Sequence, residues 1–137
     1  MRYLAIDLGD KRTGLAAGDD VTGVVTPLVV LEVPRGDALV EAVSRAAAEH
    51  RPDALVLGLP LNMDGTEGDR ARLTRVFGTA LATRSGLPLH YQDERLTSDA
   101  ASERLARSGR THRQKKAIRD ALAAAEILRD FLAGEAG

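Results

Sequence analysis

The sequence predicts an α/β protein with a mixed sheet and helices on both of its faces. The chain opens with three apolar segments that have no helical pattern between them, which favours consecutive antiparallel strands. A continuous apolar run at 53–58 is typical of a strand that is covered on both faces. Segments with alanine and aliphatic residues at helical spacing precede and follow this run. These patterns favour antiparallel pairing at the start of the chain and parallel βα units after it.

Five elements are predicted in the first half of the chain. Apolar runs predict three strands, at 2–8, 14–18 and 24–33. Gly9 and Asp10 lie between the first two strands and favour a tight turn, so these strands should form a β-hairpin. The helical pattern covers 37–50, and the strand at 53–58 follows it.

The second half begins with a loop rich in glycine and proline at 58–68. The remaining predicted elements are a helix to about Ser85, a strand at 87–91, and helices at about 98–108 and 113–132. The prediction therefore contains five strands. No repeat, low-complexity tract or linker divides the chain, so we expect 1–137 to form a single domain.

Composition excludes several kinds of site. The chain has no cysteine, which removes disulfides, thiolate zinc sites and a cysteine nucleophile, so any metal must bind to oxygen or histidine. Aromatic residues make up 3%, too few for the stacking platforms of single-strand binders. The N-terminus lacks a secretory signal, and no segment reaches the roughly 18 apolar residues of a membrane span. We therefore expect a cytoplasmic protein without a membrane partner.

Charge is unevenly distributed, although the formal net charge is only −1. One segment carries seven basic residues and no acidic residue: Arg104, Arg107, Arg110, Arg113, Lys115, Lys116 and Arg119. Its sign and extent suit contacts with the phosphates of DNA or RNA. Phosphate contacts carry no sequence information, so this basic segment predicts binding without predicting specificity. The candidate substrate-binding residues within it are Arg110, Arg113, Lys115 and Lys116.

Asp7 is an acidic residue inside an otherwise apolar strand. An ionised carboxylate that is buried alone is strongly destabilising, so Asp7 should be paired, hydrogen-bonded or bound to a metal. A purely structural role is an equal alternative, because Asp7 could cap the Gly9 turn or pair with Lys11 or Arg12. Lys11 and Arg12 lie at the same end of the sheet, where they could be phosphate clamps or ordinary surface charges.

Further acidic residues lie near the end of the last predicted strand and on the final helix. Asp93 and Glu94 follow that strand, and the carboxyl ends of parallel strands are where such sheets build sites. Extended backbone would point Asp93 and Glu94 in opposite directions, so one can enter a site while the other pairs with Arg95 or caps a turn. Asp120 lies beside the apolar stripe of the final helix. Its alternative role is an ion pair with Lys116, one helical turn earlier, or a solvated position.

Asp7, Glu94 and Asp120 come from a strand, a strand end and a helix. Carboxylates gathered in this way hold Mg²⁺ or Mn²⁺, because hard oxygen ligands suit these ions. Two such ions about 4 Å apart can activate water and stabilise the leaving oxygen during attack on a phosphodiester, with no protein nucleophile. Asn62, in the loop that leads into a helix N-terminus, could orient a phosphate.

Four segments carry a resemblance to a known family: MRYLAIDLGDKRTGLA at 1–16, GLPLNMDGTEG at 58–68, DERLTS at 93–98 and KKAIRDALAAAEIL at 115–128. They resemble the YqgF/RuvX proteins, which are described as Holliday junction resolvases and as nucleases that mature the ribosomal RNA precursor. The resemblance covers nearly the whole chain, and the second and third segments together are highly specific.

The resemblance implies an RNase H-like fold related to the RuvC resolvases, with a five-stranded mixed sheet flanked by helices. It implies a divalent-metal-dependent endonuclease, acting either on Holliday junctions in DNA recombination and repair or at the 5′ end of pre-16S rRNA in ribosome biogenesis. The family's metal-binding acidic residues fall on Asp7, Glu94 and Asp120. Arg119 departs from the family, which usually has an aliphatic residue there; either Arg119 reaches nucleic acid or the helix aligns differently.

Two other functions are alternatives. The first hairpin also resembles that of phosphotransferases of the actin, Hsp70 and sugar-kinase type, but those folds close nucleotide between two domains and this chain supplies one. A non-catalytic nucleic-acid-binding protein in ribosome assembly would need only the basic segment, although three acids without metal would repel a phosphate. Branched DNA and rRNA precursor are both candidate partners. Symmetric cleavage of a four-way junction would need two sites, hence a homodimer.

Overall fold

The computed structural model of the chain describes residues 1–94 and 112–136, with the side chains of 1–94 and 118–134. In chain order the elements are β1 (Arg2–Asp7), β2 (Thr13–Asp19), β3 (Val25–Leu31), α1 (Asp37–His50), β4 (Ala54–Leu59), α2 (Asp69–Ser85), β5 (Leu89–Asp93) and α3 (His112–Ala136). None of these helices is long and apolar enough to cross a membrane, as far as the described residues extend.

The strands form one five-stranded sheet in the order β3-β2-β1-β4-β5. β1, β2 and β3 pair antiparallel, whereas β4 runs parallel to both β1 and β5. Every residue of β4 is buried, as expected for a strand with neighbours on both edges and helices on both faces. The predicted α/β fold with a mixed sheet is therefore confirmed.

Side chains of different size cover the two faces of the sheet. One face packs large aliphatic residues such as Leu4, Ile6 and Leu57 against α1 and α2. The other face packs Tyr3 and smaller residues of the strands against α3: Ala5, Ala16, Ala54 and Val56. Small side chains let a helix axis approach the strands closely. The long final helix therefore lies directly on the backbone of the sheet.

The bounds of all five strands and of the final helix differ from the predicted ones by one to four residues. β5 begins at Leu89 instead of 87 and continues to Asp93, because its pairing with β4 runs from Leu55–Leu89 to Leu59–Asp93. The strand predicted at 53–58 is β4 at Ala54–Leu59, so Gly58 lies within the strand as predicted and the loop begins after Leu59. The final helix begins at His112, one residue before the predicted start, and continues to Ala136 instead of 132. The helix predicted at about 98–108 lies outside the described residues.

Candidate active site

Asp7 is the last residue of β1 and lies on the sheet face that α3 covers. Tyr3 and Ala5 pack against α3 from the same strand, and alternation along β1 gives Asp7 the same direction. The residue opposite Asp7 in β2 is Gly14. In the parallel neighbour β4, Leu57 pairs with Ile6, so Gly58 lies next to Asp7. Asp7 is thus a half-buried carboxylate flanked by two glycines.

Glu94 follows β5 directly, and its backbone N–H still donates to the carbonyl of Leu59 at 3.3 Å. Two residues of β5 show how the side chains alternate. His90 packs on Phe131 of α3, with ring centroids 5.3 Å apart, whereas Tyr91 lies under α2 at Gly78. Alternation therefore points Glu94 toward α3 and the preceding aspartate toward α2.

The Glu94 carboxylate occupies space that Gly58 leaves free. A Cβ atom on Gly58 would lie 2.5 Å from Glu94 Oε2 and 2.5 Å from Ile127 Cδ1. A larger residue at this position would displace either the carboxylate or α3. The glycine therefore lets Glu94 fold over the end of β4, beside Asp7.

Asp120 is brought to the site by the close approach of α3 to β2. A Cβ atom on Gly14 would overlap the carbonyl oxygen of Asp120. The Asp120 side chain is half-buried, with its Oδ2 3.6 Å from Nε of Arg12. Arg12 reaches it from the β1–β2 turn, where a Cβ on Gly9 would overlap the Arg12 carbonyl oxygen. The hairpin glycine thus shapes the turn that pairs Arg12 with Asp120.

The three carboxylates perturb one another. Burial raises the pKa of Asp7 well above its ordinary value, and the neighbouring Glu94 and Asp120 raise it further. Burial also raises the pKa of Glu94, while its hydrogen bond with Asp7 opposes that rise. A hydrogen bond between two carboxyl groups requires a proton on one of them, so Asp7 and Glu94 share a proton when no cation is bound. Burial raises the pKa of Asp120 as well, against the charges of Arg12 and Arg119.

These residues suit a divalent cation by their chemistry. Carboxylate oxygens are hard ligands. Burial and the repulsion between neighbouring acids raise the pKa of Asp7, and a bound cation would offset both effects. Within residues 1–94 and 112–136, however, no three acidic or histidine side chains are gathered tightly enough to hold a metal ion as they stand. Asp7 and Glu94 are already together, and Asp120 is engaged by Arg12.

The predicted substrate-binding residues fall in different places. Lys11 is exposed in the β1–β2 turn, next to Arg12. Asn62 is exposed, but its side-chain amide donates to Thr66 Oγ1 at 3.0 Å and so stabilises its own loop. Arg95 and Arg110 lie outside the described residues. The remaining three, Arg113, Lys115 and Lys116, are on the first turns of α3, where only the backbone is described.

Sequence reasoning missed two glycines that shape this site, and it did not separate a third residue from the other arginines of its helix. Gly14 and Gly58 are needed because α3 and Glu94 occupy the space of their missing side chains. The sequence did contain a sign of this arrangement. Each glycine lies two residues from a small residue that points to the same face of the sheet, Ala16 for Gly14 and Val56 for Gly58. The third is Arg70, whose charge lowers the pKa of both Asp7 and Glu94. Nothing in the local sequence distinguishes it from the other arginines of α2.

Comparisons with known proteins agree with this architecture. The family model described as "RuvX: Holliday junction resolvase" matches residues 1–134. A protein of Anaeromyxobacter sp. (strain Fw109-5), described as "Putative pre-16S rRNA nuclease", is 42% identical over 134 residues, which cover 98% of each chain. T. thermophilus RuvC in complex with Holliday junction substrate has a similar fold, with a TM-score of 0.63 at 17% identity, covering 100% of this chain and 96% of that one.

A second solved structure, Fowlpox virus resolvase with Holliday junction DNA, has a TM-score of 0.64 at 11% identity and covers both chains completely. At such low identity these two structures establish the fold, which is RNase H-like and related to RuvC. The family model and the identity to the bacterial relative extend over almost the entire sequence. The chain therefore belongs to the RuvX family.

Proposed function

We propose that this protein is an endonuclease that uses Mg²⁺ or Mn²⁺ to hydrolyse phosphodiester bonds in structured nucleic acid. One observation carries the proposal: a half-buried, hydrogen-bonded Asp7–Glu94 pair has Asp120 as a third acid within electrostatic reach. When both carboxyl groups of the pair are ionised they repel each other, and a bound cation offsets that repulsion. The family membership and the names of the relatives support the same chemistry.

Asp7, Glu94 and Asp120 are the proposed ligands of the cation. When bound, the cation would lower the pKa of an attacking water and stabilise charge on the phosphodiester oxygens. The protein's own contribution is to hold the carboxylates at a sheet end that α3 partly covers. Asp7 is fixed by β1, whereas Asp120 is held by Arg12 at 3.6 Å. No side chain is needed as a covalent nucleophile.

Positive residues around the acids are the proposed contacts for nucleic-acid phosphates. Arg12 and Lys11 lie at the β1–β2 turn, and Asn62 lies on the loop after β4. Arg95 and four residues of the basic segment would extend these contacts along the nucleic-acid backbone: Arg110, Arg113, Lys115 and Lys116. Contacts of this kind follow the backbone and suit a substrate recognised by shape.

The substrate is either a four-way DNA junction or the 5′ end of pre-16S rRNA. The family description and the structural neighbours favour the junction, while the names of the curated relatives favour the RNA precursor. We propose that residues 1–137 form one nuclease domain. Symmetric cleavage of a junction would require a homodimer, whereas trimming of an RNA end would not.

Cleavage assays with the purified protein test this proposal. A labelled four-way junction, a linear duplex of the same sequence and a pre-16S rRNA transcript would be incubated with Mg²⁺, Mn²⁺ or EDTA. We expect metal-dependent cleavage of the junction or the transcript by wild type and none by Asp7→Asn. Equal binding in EDTA and Mn²⁺ without any cleavage would instead indicate a non-catalytic nucleic-acid-binding protein.

A further inference from the structure

Helix α2 carries four arginines, and three of them are held by carboxylates. The pairs are Arg72–Asp69, Arg75–Glu67 and Arg84–Glu41. For the fourth, Arg70, no side-chain hydrogen bond or ion pair to any residue in the described part of the chain is found. Arg70 is exposed, so its guanidinium is accessible from solvent.

Arg70 lies at the edge of the sheet where the parallel strands β1, β4 and β5 end. It is the second residue of α2, which follows the loop that leaves the end of β4, and Asp7 and Glu94 lie at the ends of the neighbouring strands β1 and β5. The effect of its charge, which lowers the pKa of both acids, agrees with this position. The N-terminal turn of α2 has no side-chain cap, since Gly68 is the N-cap residue, and this also favours an anion there.

Arg12 is the second positive residue beside the acids, and unlike Arg70 it has an ion-pair partner. It lies in the β1–β2 turn, and its guanidinium is already engaged by Asp120. Arg70 is therefore a positive charge beside the proposed reaction centre that has no partner of its own among the described residues. A guanidinium in this situation is well suited to bind a phosphate, because its planar donors match two phosphate oxygens.

We propose that Arg70 binds the nucleic-acid phosphate at or next to the bond that is cut, and so positions the substrate over the acidic site. This inference rests on the proposed nuclease function. Arg70 also repels a divalent cation at the acids until a phosphate neutralises it. Removal of its charge should therefore weaken nucleic-acid binding and strengthen Mn²⁺ binding, two opposite effects that a merely structural residue would not produce.

The test compares Arg70→Gln with Arg72→Gln, a matched change of an exposed arginine two residues further along α2. Binding of a labelled four-way junction would be measured in the Asp7→Asn background, which cannot cleave, over a series of KCl concentrations. Loss of one phosphate contact should reduce the slope of log K against log salt by about 0.9 and weaken binding roughly tenfold at low salt. Arg72→Gln should change neither quantity.

Two further measurements use proteins with an intact Asp7. In cleavage assays Arg70→Gln should raise KM roughly tenfold with a smaller change in kcat, because positioning contacts are made in the bound substrate. Calorimetric titration with Mn²⁺ should show tighter binding to Arg70→Gln than to wild type. Arg70→Lys keeps the charge without the planar donors and should fall between wild type and Arg70→Gln.

The possible results separate this inference from the proposed function. If Arg70→Gln matches Arg72→Gln in salt slope and KM, the inference is wrong while the nuclease function stands. If wild type cleaves none of the substrates, the proposed function fails, and the salt slope still decides whether Arg70 contacts a phosphate. Thermal unfolding of every variant shows whether it is folded, and Arg70→Lys supplies the comparison if Arg70→Gln is not.

Discussion

The two faces of the sheet differ in what they contribute to this molecule. The face toward α1 and α2 is built from large aliphatic side chains. The face toward α3 is built from alanine, glycine and a few larger residues, and its end carries Asp7, Glu94 and Asp120. Both faces bury apolar side chains, and the second also brings acidic residues together.

The small residues explain why the acids lie on the second face. A helix on large side chains would stand away from the strands, and Asp120 would be too far from Asp7. Because Gly14 has no side chain, the backbone of α3 can contact β2 at this position. Substitutions on the two faces should therefore differ in their effects on stability and on cleavage.

The largest effect on cleavage is expected at Asp93 and Glu94, adjacent acids whose side chains point to opposite faces of the sheet. Glu94→Gln should lower the cleavage rate by about 10³-fold, because it removes a charged ligand from the site. Asp93→Asn changes the adjacent carboxylate, which points toward α2, and should leave the rate within a few-fold of wild type. Single-turnover cleavage under identical conditions compares the two variants. Equal losses would show that the direction of these side chains does not separate their roles.

A change in the large-residue face should affect stability without affecting chemistry. Leu57 is fully buried between β4 and the helices α1 and α2, and truncation to alanine should cost about 3 kcal/mol of unfolding free energy. The cleavage rate per folded molecule should stay close to that of wild type. Urea unfolding gives the free energy, and a rate measured well below the unfolding midpoint gives the activity. A large loss of activity in the folded protein would contradict the division between the faces.

A change in the small-residue face should affect both properties. In Gly14→Ala the new Cβ would overlap the Asp120 carbonyl, so α3 must move outward, at a cost of about 2 kcal/mol. Cleavage should fall because Asp120 moves with the helix. The control is Gly134→Ala, where the added Cβ meets nothing within 4 Å and should stabilise by about 0.5 kcal/mol. Normal cleavage by Gly14→Ala would mean that this close approach is not required.

The smallest effect concerns pH. Folding raises the pKa of Asp7, so its contribution stabilises the folded protein below about pH 3.9 and is lost as pH rises through the raised pKa. Asp7→Asn has no charge to bury. In EDTA its unfolding free energy should therefore exceed that of wild type increasingly as pH rises above about 4, by about 1 kcal/mol near neutrality. Urea unfolding at several pH values measures this difference, and a difference independent of pH would exclude burial of the Asp7 charge as its cause.

Much of the fold follows from local patterns. The helical period from Asp37 to His50 predicts α1 at its observed bounds. β5 was placed two residues early because the sequence around Pro88 is apolar, but pairing with β4 begins only at Leu89. Strand boundaries of this kind depend on the partner strand, which a local pattern does not contain.

The site was less predictable than the fold. Alternation along an extended strand was enough to predict that Asp93 and Glu94 diverge. Lys116 was one expected partner of Asp120, and its side chain lies outside the described residues. The described structure pairs Asp120 with Arg12, more than a hundred residues away in sequence. Arg70 was not singled out, because its closeness to the acids depends on how α2 is placed against β1 and β5. Such long-range distances arise from packing and cannot be derived from spacing along the chain.

The central claim is that Asp7, Glu94 and Asp120 bind one shared divalent ion. Thermal unfolding with increasing Mn²⁺ tests it without any substrate, because a ligand that binds only the folded state raises the midpoint. We expect Mn²⁺ to raise the midpoint of wild type, and this rise to disappear in Asp7→Asn, Glu94→Gln and Asp120→Asn alike. A full rise retained by Asp120→Asn, or no rise in wild type, would contradict the claim.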